Sequence, residues 1–166
     1  MNIEVNFTNL TKEEQEQFNA LVEKANKPKS KVWKPEKTDM YFAMSGYGEI
    51  TPCWSEMNDF DTARYSIGNC FKTEEEAEFA FERLKVIAEM KRYIAEHDDV
   101  ELDWKNYEQN KWYILYYYDT DNIGTDYCGY TQFVDNYLYA SSEKVLKYMI
   151  KEIGEDRIKK YYFGVE

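Results

Sequence analysis

Histidine, cysteine and proline are nearly absent: one, three and three residues in a chain of 166. The one imidazole, His97, has no cysteine or second histidine in step with it. That removes any recognisable zinc set and leaves a general base without partners. Beside Asp98 and Asp99 at a predicted helix end, it reads as a favourable contact with the helix dipole. Cys53, Cys70 and Cys128 are odd in number and form no CxxC pair. A disulfide-stapled secreted scaffold is therefore excluded, and reduced, mostly buried thiols are expected. No apolar run approaches the ~18 residues that span a membrane, and MNIEVNFTNLTKEEQ lacks the basic start and apolar stretch of a signal peptide. The expectation is a soluble, cytoplasmic protein.

Catalytic signatures are missing too. There is no Walker loop, GxGxxG, GxSxG or HExxH. DTDNIGTDYCGY sets Asp119, Asp121 and Gly124 where a calcium loop needs them. It then puts Ile123 fifth and Tyr130 twelfth, so it reads as a turn. The chain is expected to be no enzyme and to need neither metal nor cofactor.

Positive charge is also in short supply. Twenty-one Lys and Arg face 32 Asp and Glu, a net charge of -11. A protein that grips nucleic acid over its general surface needs the opposite balance. Such acidity serves solubility, or it offers a face to a basic partner, including one that imitates DNA. What is abundant is tyrosine, 16 residues, whose apolar ring and polar tip suit half-buried sheets and contact surfaces.

Along the chain, NIEVNF alternates like a short strand. TKEEQEQFNALVEKANK reads as a helix capped by Thr11 with Glu14 completing a capping box. KANKPKSKVWKPEK, with Lys24, Lys27, Lys29, Lys31, Lys34 and Lys37, is the one basic region, a linker or extended arm. Residues 1–32 therefore form an N-terminal strand, helix and linker, and 33–166 an α+β domain. Within it DMYFAM, GEITPCW and ARYSIG form a first antiparallel meander, the first two joined by the SGYG turn. KWYILYYY, DYCGYTQFV and NYLYA form a second. Each meander leads into a capped helix, with GNCFKTEEEA in one case and DNYLYASSEK in the other. Asn69 and Asn136 hold matching places. Two β-β-β-α units, about 33–98 and 104–166, are expected, with helices on one side of the sheet.

In GNCFKTEEEAEFAFERLK, Thr73 and Glu76 make a second capping box, and Glu74 to Glu76 suit the positive end of the helix dipole. Adjacent helical residues diverge by about 100° and cannot converge on one ion. The helix carries a broad apolar face of Ala77, Ala80, Phe81, Leu84, Ile87, Ala88 and Ile94. A second stripe, Phe79, Val86, Met90 and Tyr93, lies opposite. Either the N-terminal helix covers that stripe or it is a second contact face, for instance a dimer seam.

Carboxylates cluster among tyrosines elsewhere. No Lys or Arg occurs between Trp112 and Ser142. Asp98, Asp99, Glu101, Asp103 and Glu108, with Asp119, Asp121, Asp126 and Asp135 beside Tyr127 and Tyr130, make a candidate partner-binding face. Charge would steer a basic partner there and rings would supply buried area.

WKPEKTDMYFAM, GEITPCW, GNCFKTEEEAEFAFERLKVIAEMKRY and the ending IGEDRIKKYYFGVE together resemble a family of small phage and prophage accessory proteins of Gram-positive bacteria. The likeness covers residues 33–166 and departs at LYASSEK, where FxSxE is typical. The shared motifs are structural, so no catalytic residue is implied. What the resemblance implies is an inhibitor of host defence, whose partner would be a host protein with a basic nucleic-acid-binding surface such as a CRISPR nuclease. The alternatives are a nucleic-acid-binding module of phage replication or regulation, with the lysine arm on phosphate, or an oligomeric accessory protein.

Overall fold

The computed structural model describes residues 7, 9–26, 30–129 and 138–165, the Lys24 side chain excepted. The strand expected at NIEVNF lies outside these residues apart from Phe7, as do Asn136, Tyr130 and Asp135. The chain divides into two compact units, Met1–Lys34 and Pro35–Glu166.

The first unit holds helix α1 (Lys12–Asn26). Its start is a reciprocal pair. Thr11 N donates to the Glu14 carboxylate at 2.7 Å, and Glu14 N donates to Thr11 Oγ1 at 3.3 Å. Donors that a helix end leaves over are thereby satisfied. Phe18 meets Phe7 edge-on at 5.2 Å, giving the narrow apolar stripe a partner.

The second unit runs β1 (Met40–Met44), β2 (Ile50–Trp54), α2 (Asp59–Ser66) and α3 (Glu74–His97). It continues with β3 (Lys111–Tyr117), β4 (Asn122–Cys128), β5 (Tyr139–Ala140), α4 (Glu143–Ile153) and α5 (Glu155–Ile158), and closes on a π-helical segment, Lys159–Phe163. The class is mixed α+β with two small antiparallel sheets. β1 and β2 pair from Met40 opposite Trp54 to Met44 opposite Ile50. Ser45 closes the turn, its hydroxyl accepting from Glu49 N at 3.1 Å, while Gly48 takes φ 81°.

ARYSIG is not a third strand. The segment Asp59–Ser66 is helical because Asn58 and Asp61 form a capping box across its first turn. Local capping outweighs the strand-like alternation of Tyr65 and Ile67. The third edge of the first sheet is a single bridge, Phe71 opposite Phe42. Asn69 holds it in register: its amide accepts from Met44 N at 2.7 Å and donates to Met44 O at 2.8 Å.

The second half has the same order. β4 and β5 flank β3, as β2 and the Phe71 bridge flank β1. Ala140 lies opposite Trp112, and Ser142, two residues on, caps α4. Phe71 stands likewise two residues before Thr73, the cap of α3. Both halves thus run a hairpin, a short returning pairing on its first strand and a capped helix, with α2 standing before the Phe71 bridge in the first.

The core lies where α3 and α4 meet the second sheet. Val86, Met90, Ile114, Ala140, Leu146, Met149 and Ile158 are buried together there. Trp112 and Ile123 pack against this cluster, and Thr125 reaches α4 through a 2.8 Å hydrogen bond to Glu143. The opposite face of the sheet is crossed by residues 98–110. Trp104 meets Tyr139 edge-on at 4.9 Å, and the buried Lys111 ammonium lies 5.9 Å from the Trp104 ring centre and donates to Asn106 O.

From Val86 to Tyr93 the second stripe is therefore no free contact face, whereas Phe79, half-buried beside Tyr161, stays partly open. Val86 and Met90 are fully buried in this core, and Tyr93 packs against it and stacks on His97 with ring centres 4.1 Å apart. The C-terminal helices and β3 cover Val86, Met90 and Tyr93, which were expected to lie under the N-terminal helix or against a partner. The broad face is the shallower one, with Leu84 54% exposed.

Candidate partner-binding groove

The first turns of α3 set the site. Thr73 Oγ1 accepts from Glu76 N at 3.2 Å, and the Glu76 carboxylate turns back to accept from Lys72 N at 2.9 Å. Glu76 is thus committed to starting the helix. Glu74, Glu78 and Glu82 recur every four residues, which puts them on one side of the helix at steps of about 6 Å. Glu75 is held below its usual pKa by hydrogen bonding to its own backbone and to Thr73.

Two distant segments face this stretch. The hairpin turn brings Gly48, Glu49 and Ile50 beside Phe81, and a Cβ on Gly48 would come within 3.2 Å of the Phe81 ring. The π-helical segment brings Lys160 and Tyr161, whose ring centre lies 5.4 Å from that of Phe79. Between them runs an open groove of about 1220 Å³. Its apolar lining is Ile50, Phe71, Phe79, Ala80 and Phe81 with the Tyr161 ring, Phe79 and Phe81 flanking the glutamate row from either side. Its rim carries Glu49, Glu74, Glu75, Glu78 and Glu82 against Arg83 and Lys160.

These carboxylates are unequally engaged. Glu82 pairs with Lys85 and lies 3.8 Å from Arg157. Arg157 is itself tied to Glu89, whose carboxyl it holds below the usual range, and so fastens α5 to α3. Among the described residues Glu49, Glu74 and Glu78 form no ion pair. Their charge is available to something outside the chain.

The residues predicted as an acidic face are brought together only in part: the 98–110 loop, Asp126 and Tyr127 lie at the Lys111 end of the second sheet, Asp119 and Asp121 at the other. Asp98 ends α3 and accepts from Ser141 N at 2.5 Å and from the Ser141 hydroxyl, so it ties the helix to the start of α4. Asp99, Glu101, Asp103 and Glu108 are exposed on the 98–110 loop. That loop sits at the Lys111 end of the second sheet, with Tyr107 O lying 2.7 Å from where a Gly129 Cβ would stand. Asp119 and Asp121 sit at the other end of β3, and a seven-residue strand spans about 20 Å. Asp121 moreover has partners within the chain: it accepts from Tyr116 at 2.7 Å and pairs with Lys159 at 3.4 Å. Tyr127 rests against Trp112 with ring centres 5.0 Å apart, and Asp126 turns onto the Tyr127 backbone amide. Tyr130 and Asp135 lie outside the described residues.

Sequence reasoning passed over the groove because its glutamates double as helix initiators. The four-residue recurrence of Glu74, Glu78 and Glu82 was the available signal. Nothing in the sequence pairs it with Glu49 or Tyr161.

Among the described residues no group of three His, Cys, Asp or Glu could hold a metal ion, and no helix is long and apolar enough to cross a membrane. No protein-family model, curated protein or solved structure matches the chain.

Proposed function

We propose that the chain is a non-enzymatic binding protein that uses its acidic surface to occupy a basic surface of a partner protein. The observation that carries this reading is the α3 groove, an aromatic lining beside carboxylates of which several lack internal counter-charges. Rings supply the area that is desolvated on binding, and like-signed charge around them speeds encounter with a basic partner and disfavours acidic ones. The net charge of -11 adds long-range attraction of the same sign. The resemblance to phage accessory proteins supports one partner class, a host defence nuclease whose basic surface otherwise holds nucleic acid.

The test is a plasmid challenge. Bacteria carrying an active CRISPR nuclease are transformed with a targeted plasmid, with and without this chain expressed. Restored transformation supports the reading. Unchanged restriction across representative nuclease types, with the chain present and folded, sinks it.

A further inference from the structure

Resting on the partner-binding reading above, we propose that the α3 groove receives a short, extended, basic segment of the partner, anchored by one bulky apolar side chain. Three features define that ligand. On one flank of the glutamate row Phe79 and Tyr161 form an aromatic surface, with Phe81 on the other flank, so the groove rewards a Phe, Trp or Leu side chain with the burial of apolar area. Between these flanks, Glu74 and Glu78 carry unpaired charge and Glu82 continues the row. Their spacing of about 6 Å matches alternate residues of an extended chain, which stand about 6.6 Å apart on one side. A sequence of the type basic–x–basic, with its apolar residue on the opposite side, therefore presents cations to the row and its anchor to the Phe79–Tyr161 flank. Glu49, on the hairpin across the groove, supplies a further carboxylate.

The same chemistry argues against other occupants. A nucleic-acid backbone would bring phosphates against this rim at a Coulombic cost. A second copy of this chain, itself at -11, gains nothing from the rim unless it presents cations there.

The probe is a labelled heptapeptide, Lys-Gly-Lys-Phe-Lys-Gly-Lys, titrated with the full chain at low salt and read by fluorescence anisotropy. The expected result is saturable binding that weakens by about tenfold or more when the central Phe is replaced by Ala. E74K/E78K should abolish it and E74Q/E78Q should weaken it. Both positions are exposed, so circular dichroism should be unchanged in each variant. Equal affinity for the Phe and Ala peptides would overturn the proposal, since the anchor would then contribute nothing. Binding insensitive to E74K/E78K would place the peptide elsewhere and overturn it too. So would a dimer, seen by sedimentation, that E74K/E78K dissociates. Peptide binding without rescue in the plasmid challenge keeps the groove and removes the nuclease reading. Rescue that survives E74K/E78K keeps the nuclease reading and removes the groove.

Discussion

Asp61 shows how one carboxylate can hold several segments. It is 7% exposed and accepts from Tyr41 OH at 2.7 Å, Glu56 N at 2.9 Å and Asn58 N at 3.2 Å. Arg64 completes the cluster from the same helix, donating to the Tyr41 oxygen and to Cys53 Sγ, both at 3.1 Å. The Tyr41 hydrogen bond, ahead of the backbone donors, pulls the Asp61 pKa down against the cost of burial. Burial, reinforced by Asp61, pushes Tyr41 up to about 12. A carboxyl with a depressed folded pKa stabilises the fold above its unfolded value of about 3.9, and that contribution disappears as pH falls through the folded pKa. Asp61→Ala is expected to cost about 2–3 kcal/mol near neutrality, because it strands buried donors. The gap between wild type and variant, measured by urea unfolding, should close as pH is lowered below about 4. A gap that stays constant down to pH 2 would mean that Asp61 acts through packing alone. At the alkaline end, the Tyr41 contribution is complete below its unfolded pKa of about 10 and is lost as pH rises toward 12.

Single elements differ in how openly the sequence declares them. The starts of α1 and α3 were legible because a capping box is written in four consecutive residues. β3 was legible from its run of aromatic and aliphatic side chains. α2 was misread: its capping box is Asn58 with Asp61, while Tyr65 and Ile67 imitate strand alternation. The returning strands are barely strands at all, one bridge at Phe71 and two residues at Tyr139–Ala140. Pairing so short leaves almost no period to read. Two glycines near β4 separate rigid from yielding neighbours. A Cβ on Gly129 would stand 2.7 Å from the Tyr107 carbonyl oxygen, which belongs to backbone. A Cβ on Gly124 would meet the Tyr117 ring, a side chain 44% exposed and able to swing away. Gly129→Ala should therefore cost about 1–3 kcal/mol and detach the 98–110 loop, whereas Gly124→Ala should cost less than half of that. Thermal unfolding of the two variants checks the order, and equal losses would contradict this account of Gly129.

At the scale of the whole molecule, fold class was readable and the site was not, for one physical reason. Class follows from periodicities held within short windows, but the groove assembles residues 48–50, 71–83 and 160–161, whose meeting depends on the packing of α3, α5 and the π-helical end. The same packing leads to a prediction about independence. Every residue of the buried cluster, from Val86 to Ile158, belongs to the Pro35–Glu166 unit. So do the caps of α2, α3 and α4, the Asp61 network and the Arg157–Glu89 pair. A unit of this size that encloses its own core and satisfies its own helix ends has what it needs to fold alone. The fragment 35–166 is expected to unfold in one cooperative transition and to bind the basic heptapeptide as the full chain does, since all groove residues are retained. Scanning calorimetry with near-ultraviolet circular dichroism decides the first point and anisotropy the second. A fragment without a cooperative transition would show that residues 1–34 are part of the folding unit. A folded fragment that fails to bind a peptide held by the full chain would place part of the binding surface in residues 1–34.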